Sequence, residues 1–286
     1  ANLTNLDLQW NYAAGVHHPA QRKPNDGLSP VPPRSALWVN ALGARIRNPQ
    51  PIVPYTDTRH LVASIAQQPG QYSWQVMNWK IAAKELAVSG SDYMTAFREK
   101  SKLKLVKGVL FGNHELIRRL CEECPEDFVT ADNLPDLVAK MNERNLYGLQ
   151  TDLKTLEAEV DYYDGQIDQG QSYFNDEQLR WLLNFRTYRG DRIRLCKFQK
   201  IRDPKAMPLV AIREFILSRK SLGGLQTDLD SRVLDTSGQA IPGVYAVGEA
   251  AGFGGGGIHG IGSLEGTFLG GCVLTGRRAG QAIAKG

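Results

Sequence analysis

Cysteine is scarce in this chain of 286 residues, and long apolar runs are missing from it. The four cysteines are too few to staple a chain of this length, so we expect a reducing compartment and no disulfide framework. No stretch approaches the roughly 18 consecutive apolar residues that a membrane helix requires. The first segment, Ala1–Tyr12, lacks the basic and apolar regions of a secretory leader. These absences predict a cytoplasmic protein with no membrane span.

The chain also lacks a large excess of positive over negative charge, or of negative over positive. The chain has 34 basic and 30 acidic residues, a net charge of +4 that is too balanced to indicate a nucleic-acid partner. Its 42% hydrophobic and 22% charged residues are typical of globular proteins and exclude a disordered, collagen-like or coiled-coil chain. At about 150 residues per domain, the length allows one large domain or two ordinary ones.

Local patterns divide the chain into three parts. Near the proline-rich start, Ala36–Asn40 and Ala44–Arg47 flank a turn at Leu42-Gly43 and predict a hairpin. From Thr56 to Phe185 the apolar spacing favours helices. Four helices are predicted. The first is capped by Ser73 and runs through Val88, and the second is opened by Asn133 with Pro135 and runs through Asn142. The third covers Thr151–Tyr163, and the fourth follows a capping box of Asn175 and Gln178.

After Pro208 the chain changes to short apolar runs. These runs predict strands at Leu209–Leu217, Arg232–Leu234 and Val244–Val247, and a small-residue helix over Val273–Ala284 that starts near Leu264. Thirteen of the 29 glycines lie between residues 252 and 286. A buried strand would therefore deliver Glu249 at its carboxyl end, followed by a glycine loop and a helix, which is the geometry that receives a ligand beyond a strand end.

The glycine loop has two interpretations from its residues alone. Gly252–Gly257 fits GxGxxG, but only about 30 residues follow it, too few for the rest of a Rossmann unit. A glycine-rich surface loop before a packed helix is the alternative. Glu249 and His259 inside the pattern favour a ligand site.

Several ordered motifs resemble the fumarate reductase and 3-ketosteroid dehydrogenase superfamily of flavoproteins. Ile241–Ala251 is similar to its second flavin-binding strand, and Gly255–Gly260 is similar to its T-G-G-x-H-G stretch. Ser218–Leu225 resembles its T-M-G-G-L turn, and Trp38–Arg45 resembles its V-N-x-x-G-x-R hairpin. The subgroup that the chain resembles is the FAD-binding dehydrogenases related to ketosteroid dehydrogenases, in which the motifs K-x-L-G-G-L-Q-T-D and E-G-T-F-L-G-G-C recur.

This resemblance implies an α+β chain. Residues 1–207 would form a helix-rich substrate-binding (cap) domain, and residues 208–286 the C-terminal strand-and-helix portion of an α/β FAD-binding domain. Such flavoproteins open with strand, GxGxxG and helix, and nothing before Gly252 matches that. We therefore expect a fragment whose partner is the missing N-terminal FAD-binding segment, and which alone binds FAD weakly or not at all and is inactive.

The resemblance also assigns site residues. Glu249 would bind the flavin ribityl hydroxyls, while the amide groups at the start of the last helix would face the flavin pyrimidine. The alternative for Glu249 is a solvated carboxylate. The expected cofactor-binding residues are Gly248, Glu249, Gly256, Gly257, Ser263, Leu264 and Glu265.

The expected catalytic residues are His259, Lys220, Arg219 and Tyr55. His259 would polarise a substrate carbonyl, unless it only holds the loop backbone. The cations of Arg219 and Lys220 would stabilise an enolate, unless they are merely solvated. Tyr55 would be the base, although its spacing departs from the family pattern. Arg213 is a further candidate for the same cleft.

The expected reaction is hydride transfer between flavin N5 and a carbon–carbon bond activated by a carbonyl. An apolar, ketosteroid-like ketone is favoured, because Ser263 replaces the arginine with which fumarate reductases bind a dicarboxylate, and because Trp10, Tyr12, Trp38, Trp74 and Trp79 supply aromatic surface. The alternative is a stand-alone binding module without redox chemistry. Cys121 and Cys124 lack two further ligands, so no metal site is expected.

Overall fold

The computed structural model describes residues 1–20, 25–54, 56–88, 92–252 and 267–285. They contain both helices and strands, grouped in runs along the chain, which confirms the predicted α+β class. The strands are β1 Leu3–Thr4, β2 Gln9–His17, β3 Gly27–Leu28, β4 Pro30–Val31, β5 Leu37–Asn40, β6 Tyr72–Asn78, β7 Ala87–Val88, β8 Phe128–Ala131, β9 Leu209–Ser221, β10 Gly224–Leu225, β11 Arg232–Leu234 and β12 Ala240–Tyr245.

The helices fill most of the middle of the chain and its end. They are α1 Thr58–Ala66, α2 Trp79–Glu85, α3 Thr95–Arg98, α4 Lys102–Phe111, α5 His114–Glu123, α6 Leu134–Asn142, α7 Leu153–Gln169, α8 Glu177–Phe185, α9 Arg189–Arg194 and α10 Thr267–Lys285. No helix within the described ranges is long and apolar enough to cross a membrane.

The chain forms two compact units. The sheet unit comprises Ala13–Thr56 and His60–Leu217, and the C-terminal unit comprises Ala1–Tyr12, Asp57–Arg59 and Ser218–Gly286. A sheet with the strand order β3-β2-β9-β6-β5, in which β8 also pairs with β9, runs through the sheet unit. The C-terminal unit holds two short antiparallel ribbons, β1 with β10 and β11 with β12.

The core of the sheet unit forms where the central strand β6 meets the helices. Tyr72 and Trp74 are almost completely buried in it. The Tyr72 hydroxyl and the Trp74 indole N–H both donate to Oδ1 of Asn145, each at 2.9 Å. Asn145 in turn donates to Oγ1 of Thr151 at 3.1 Å. The polar ends of two large core side chains are therefore satisfied, so their burial carries no unpaired donor.

The predicted hairpin is present. Asn40 ends β5 and its Oδ1 accepts the amide N–H groups of Leu42 and Ala44, which closes the turn. Gly43 has a φ of +92°, a conformation that L side chains disfavour. The predicted helix after Asn133 is also confirmed, because Oδ1 of Asn133 accepts the Asp136 N–H at 2.9 Å at the start of α6.

The helix predicted from Ser73 is wrong in its first half. Residues Tyr72–Asn78 form β6, which is buried along its whole length between β5 and β9. Asn78 is the true cap, since its Oδ1 accepts the Ile81 N–H at 3.0 Å and the helix begins at Trp79. Two neighbouring strands satisfy the backbone of this segment on both sides, and its aromatic and β-branched residues suit a central strand.

The capping box predicted at Asn175 and Gln178 is also wrong. Asp176 caps α8 instead, with its Oδ1 accepting the Leu179 N–H at 3.2 Å. Gln178 is buried and donates to the main-chain carbonyls of Arg34 and Ala36, at 2.8 Å and 2.7 Å. Its amide is thus used for a tertiary contact and is not available to the cap.

The strands predicted after Pro208 at Leu209–Leu217 and Arg232–Leu234 are confirmed as parts of β9 and β11. The strand predicted at Val244–Val247 ends earlier, at Tyr245, and it is not buried: Val244 and Val247 are 42% and 38% exposed. Among the described strands, β12 pairs only with β11, so one of its edges carries no ladder. The C-terminal helix is confirmed from Thr267, and its predicted start near Leu264 lies outside the described residues.

Candidate functional site

The end of β9 and the segment after β12 meet inside the C-terminal unit. Glu249 lies in a single 3₁₀ turn, Gly248–Ala251, and its Oε1 accepts the backbone N–H of Ser221 at 3.1 Å. Glu249 is exposed, and within the described residues its other carboxylate oxygen has no donor. The geometry leaves one oxygen available to accept a hydrogen bond from a ligand hydroxyl.

The Gly223-Gly224 turn next to Ser221 is enclosed by main chain on both sides. A Cβ on Gly223 would lie 2.0 Å from the carbonyl oxygen of Asn5, and one on Gly224 would lie 2.4 Å from the Gly252 nitrogen. Both distances are far below a van der Waals contact, so only glycine fits at either position. The side-chain-free turn is therefore a packing requirement of this fold.

The third close approach holds the Glu249 segment onto α10. Gly248 has a φ of +60°, and a Cβ on it would lie 2.8 Å from Sγ of Cys272. Its amide N–H donates to Oγ1 of Thr275 at 3.0 Å. The backbone immediately before Glu249 is thus fixed by one hydrogen bond and one tight contact with the same helix.

A cation and two aromatic rings lie beside this turn. The ammonium of Lys220 sits 3.2 Å above the centre of the Phe268 ring. Trp10 packs edge-on against that ring, with centroids 5.0 Å apart at 64°. The aromatic face attracts the cation and positions it one residue before the amide that binds Glu249.

The structure therefore brings together three of the predicted site residues, Gly248, Glu249 and Lys220. For Arg219 only the main chain, within β9, is described. The others lie outside the described residues: Tyr55, Gly256, Gly257, His259, Ser263, Leu264 and Glu265. Their roles stay predictions. Phe268 was missed by sequence reasoning, although the aromatic residue inside E-G-T-F-L-G-G-C is the signal that could have found it.

The prediction that Arg213 faces a cleft is wrong. Its guanidinium is buried in the sheet unit and binds Asp127, with Nε and Nη2 at 3.1 Å and 3.0 Å from Oδ1. The other oxygen of Asp127 accepts the His17 backbone N–H at 2.7 Å. Arg213 is a structural cation, and its partner was not visible because Asp127 lies 86 residues away in the chain.

Fewer aromatic side chains are available to contact a ligand than the sequence suggested. Trp74 is fully buried and Trp38 is 2% exposed, and the Trp38 indole N–H donates to Oγ of Ser73 at 2.8 Å. Both rings belong to the interior of the sheet unit. Of the named tryptophans, Trp10 is the one described beside Lys220 and Phe268 in the C-terminal unit.

Cys121 and Cys124, in the sheet unit, are held in the unreactive thiol form. Burial raises the pKa of the Cys121 thiol to about 11 and that of Cys124 to about 12, so both stay protonated at neutral pH. Across the described ranges, no group of three His, Cys, Asp or Glu side chains is arranged to hold a metal ion.

Comparison with known sequences gives a consistent family. Residues 16–269 match the FAD binding domain family. The chain is 38% identical over 286 residues to a KsdD-like steroid dehydrogenase of Mycobacterium tuberculosis (strain ATCC 25618 / H37Rv), covering 100% of this chain and 50% of that protein. It is 40% identical over 270 residues to a KsdD-like steroid dehydrogenase of Mycolicibacterium smegmatis, covering 94% and 48%. The chain thus spans about half the length of these curated relatives.

Two solved structures share the fold. One is a flavocytochrome c3 fumarate reductase in its open conformation, with a TM-score of 0.56 and 20% identity over 100% of this chain and 38% of that one. The other is the 3-ketosteroid delta1-dehydrogenase of Sterolibacterium denitrificans, with a TM-score of 0.56 and 18% identity over 100% of this chain and 44% of that one. At these identities the likeness concerns the fold alone.

Proposed function

The chain belongs to the FAD binding domain family, and on that basis we propose that it is part of an FAD-dependent oxidoreductase acting on a carbonyl-activated carbon–carbon bond. Residues 1–207 would supply the substrate-binding domain, and residues 208–286 the last portion of the FAD-binding domain. The N-terminal nucleotide-binding half would come from a segment not included in this chain. The observation that carries the proposal is the exposed Glu249 carboxylate, which the Ser221 amide holds through one oxygen while the other has no donor among the described residues.

The described residues fit FAD chemically. A ribityl chain offers several hydroxyl donors, and an exposed carboxylate with a free oxygen is a matching acceptor. The glycines at 223, 224 and 248 keep side chains away from the backbone around Glu249. In the proposed complex Glu249 would bind the ribityl hydroxyls, and the predicted contacts of Gly256 and Gly257 would be with the ring system.

When bound, FAD supplies the two-electron acceptor or donor for hydride exchange with the substrate carbon. The residues of this chain would manage charge and protons around that exchange. The Lys220 ammonium, fixed over the Phe268 ring, would stabilise negative charge on the substrate oxygen together with Arg219. His259 would donate a hydrogen bond to the same oxygen, and Tyr55 would take the proton from the neighbouring carbon.

We propose an apolar ketone of the ketosteroid type as the substrate. The similarity to two KsdD-like steroid dehydrogenases supports this class. Ser263 in place of an arginine argues against a dicarboxylate, because a hydroxyl cannot form the bidentate ion pair that binds a carboxylate.

The proposal is tested on the complete gene product loaded with FAD. A saturated 3-ketosteroid should bleach the flavin absorbance under anaerobic conditions, whereas succinate should not. Glu249→Gln should weaken FAD binding about tenfold, because a neutral amide is a poorer acceptor than a carboxylate. Glu126→Gln, which changes an exposed carboxylate of the sheet unit, is the matched control. Flavin that no ketone or enone reduces or reoxidises would remove the assigned activity.

A further inference from the structure

The sheet unit contains a groove that the proposed flavin chemistry does not use. It has a volume of about 560 Å³ and lies where α2, the end of α4, the start of α5 and the segment 195–207 come together. Its lining combines basic and aromatic residues: Trp79, Lys80, Lys84, Phe111, Lys197 and Lys205. None of these belongs to the predicted flavin or catalytic set.

The lysine side chains give the lining of the groove a positive charge. Four lysines line it, and among the described residues its lining contains no carboxylate. Lys84 donates to the main-chain carbonyls of Val109 and Leu110, which end α4. Lys80, Lys197 and Lys205 are exposed, and in the described part of the chain none of them forms an ion pair. Three ammonium groups therefore face solvent around one opening.

Two acids lie near these lysines without lining the groove. Asp203 has a lowered pKa, first because Gln199 donates to it and then because the Lys205 backbone does, with the charges of Lys80 and Lys205 adding to the effect. Glu85 is the buried last residue of α2, where burial raises its pKa and the N–H groups of Ser35 and Cys196 donate to it. Asp203 offsets part of the positive charge of Lys80 and Lys205, but the four lysines of the lining outnumber it.

A flat aromatic wall borders the lysines. The Trp79 indole N–H donates to Nδ1 of His114 at 2.8 Å, and Nε2 of His114 lies 3.3 Å from the carbonyl oxygen of Phe111. In this arrangement Nδ1 of His114 accepts from Trp79, and Nε2 points at the main chain. The two ring centroids are 6.4 Å apart and the ring planes are within 21° of parallel.

We infer that this groove binds an anion that carries an aromatic ring, of the nucleoside di- or polyphosphate class. The lysines match the phosphates, since exposed ammonium groups around a half-enclosed opening attract multiply charged anions. The Trp79 and His114 rings, which both line the groove, would supply aromatic contact for a base. The site is separate in its residues from the proposed flavin site, so it stands or falls independently of the proposed function.

The test uses the complete protein saturated with FAD, so that the ADP half of the flavin site is already filled. ADP is titrated by calorimetry at low salt, with pyrophosphate and adenosine titrated separately. ADP should bind with one site per chain and more tightly than either half, and its binding should weaken as salt rises. Absence of binding at millimolar ADP overturns the inference.

Charge-reversal variants locate the site. Lys80→Glu and Lys205→Glu should each weaken ADP binding about tenfold, because each turns an attraction into a repulsion at the opening. Lys154→Glu makes the same change on the exposed face of α7, outside the groove, and should leave the affinity unchanged. Trp79→Leu should weaken ADP but not pyrophosphate. Equal affinities for Lys80→Glu, Lys205→Glu and Lys154→Glu would overturn the assignment.

Discussion

Arg45 and Asp176 form a buried ion pair across 131 positions of the sequence. Nη1 and Nη2 of Arg45 lie 2.5 Å and 3.3 Å from the two carboxylate oxygens of Asp176, and each side chain is 1% exposed. Nη2 also donates to Oε1 of Gln178 at 2.8 Å. The pair joins the hairpin after β5 to the N-terminus of α8, where Asp176 is also the cap.

Removing one partner of this pair should be costly, because the other charge would remain buried without compensation. Arg45→Met should lower the free energy of unfolding by about 3–5 kcal/mol. Urea denaturation at pH 7 measures the change. Arg47→Met is the matched control, since Arg47 binds Glu159 with its own side chain 40% exposed. That variant should lose about 1 kcal/mol or less. Equal losses would contradict the assignment.

The Gly223-Gly224 turn should not tolerate a methyl group. Gly223→Ala places Cβ 2.0 Å from the Asn5 carbonyl oxygen, so the turn or β1 must move, at a cost of about 1–3 kcal/mol. FAD affinity should fall in parallel, because Ser221 holds Glu249. Gly276→Ala lies in α10, where no described atom outside the helix's own neighbouring backbone is within 4 Å of the new Cβ, and it should instead stabilise by about 0.5–1 kcal/mol. Denaturant unfolding and flavin titration report both effects; a stable Gly223→Ala with unchanged FAD affinity would count against the packing argument.

Glu214 should make stability depend on pH. Its carboxylate is fully buried with no hydrogen-bond partner among the described residues, and burial, with a smaller effect from the Asp127 charge, raises its pKa well above the ordinary 4.5. The folded state then holds a proton that the unfolded state releases. The contribution of Glu214 to the free energy of unfolding is therefore fully present below pH 4.5. It is lost as the pH rises towards the folded pKa, by up to about 1.4 kcal/mol per pH unit.

Glu214→Gln should remove that slope, because an amide does not titrate. The variant should match the wild type near pH 4.5 and be the more stable of the two at pH 8. Urea denaturation across this range measures whether the two stabilities diverge as the pH rises. Glu126→Gln, at an exposed site, controls for the loss of one carboxylate. A wild type and variant with parallel pH profiles would show that Glu214 is not held protonated.

The cation over the Phe268 ring should matter for turnover. Lys220→Met should lower kcat about tenfold in the FAD-loaded complete protein, because under the proposed function this cation stabilises negative charge on the substrate oxygen. Lys220→Arg keeps a cation that can stack on Phe268 and should retain most activity. Anaerobic flavin reduction by a ketosteroid measures both variants. Equal rates for Lys220→Met and the wild type would leave Lys220 as a packing residue only.

Much of the fold followed from local signals, and the exceptions have a common cause. The hairpin at Gly43 and the helix after Asn133 were predicted because their turn and cap chemistry is complete within five residues. The segment Tyr72–Asn78 was misjudged because its structure is decided by β5 and β9, which are distant in sequence. Arg213 was misplaced for the same reason, since its partner Asp127 is supplied by another element.

The candidate site shows the same division. Gly248 and Glu249 were identified from an ordered motif, and the structure adds that the Ser221 amide binds Glu249. Phe268 was overlooked because an aromatic residue in a helix of small residues carries no charge pattern, and its role appears only when Lys220 is placed above it. Predictions for His259, Tyr55 and Arg219 still rest on resemblance.

The main-chain walls around Gly223 and Gly224 limit how this region can diverge. No side chain can be introduced at either position, so point substitution there cannot add a new contact to this region. The turn can offer only its own peptide groups. Under the proposed function, changes in substrate preference would have to come from flanking positions such as Lys220 and Ser221, while the turn itself stays constant.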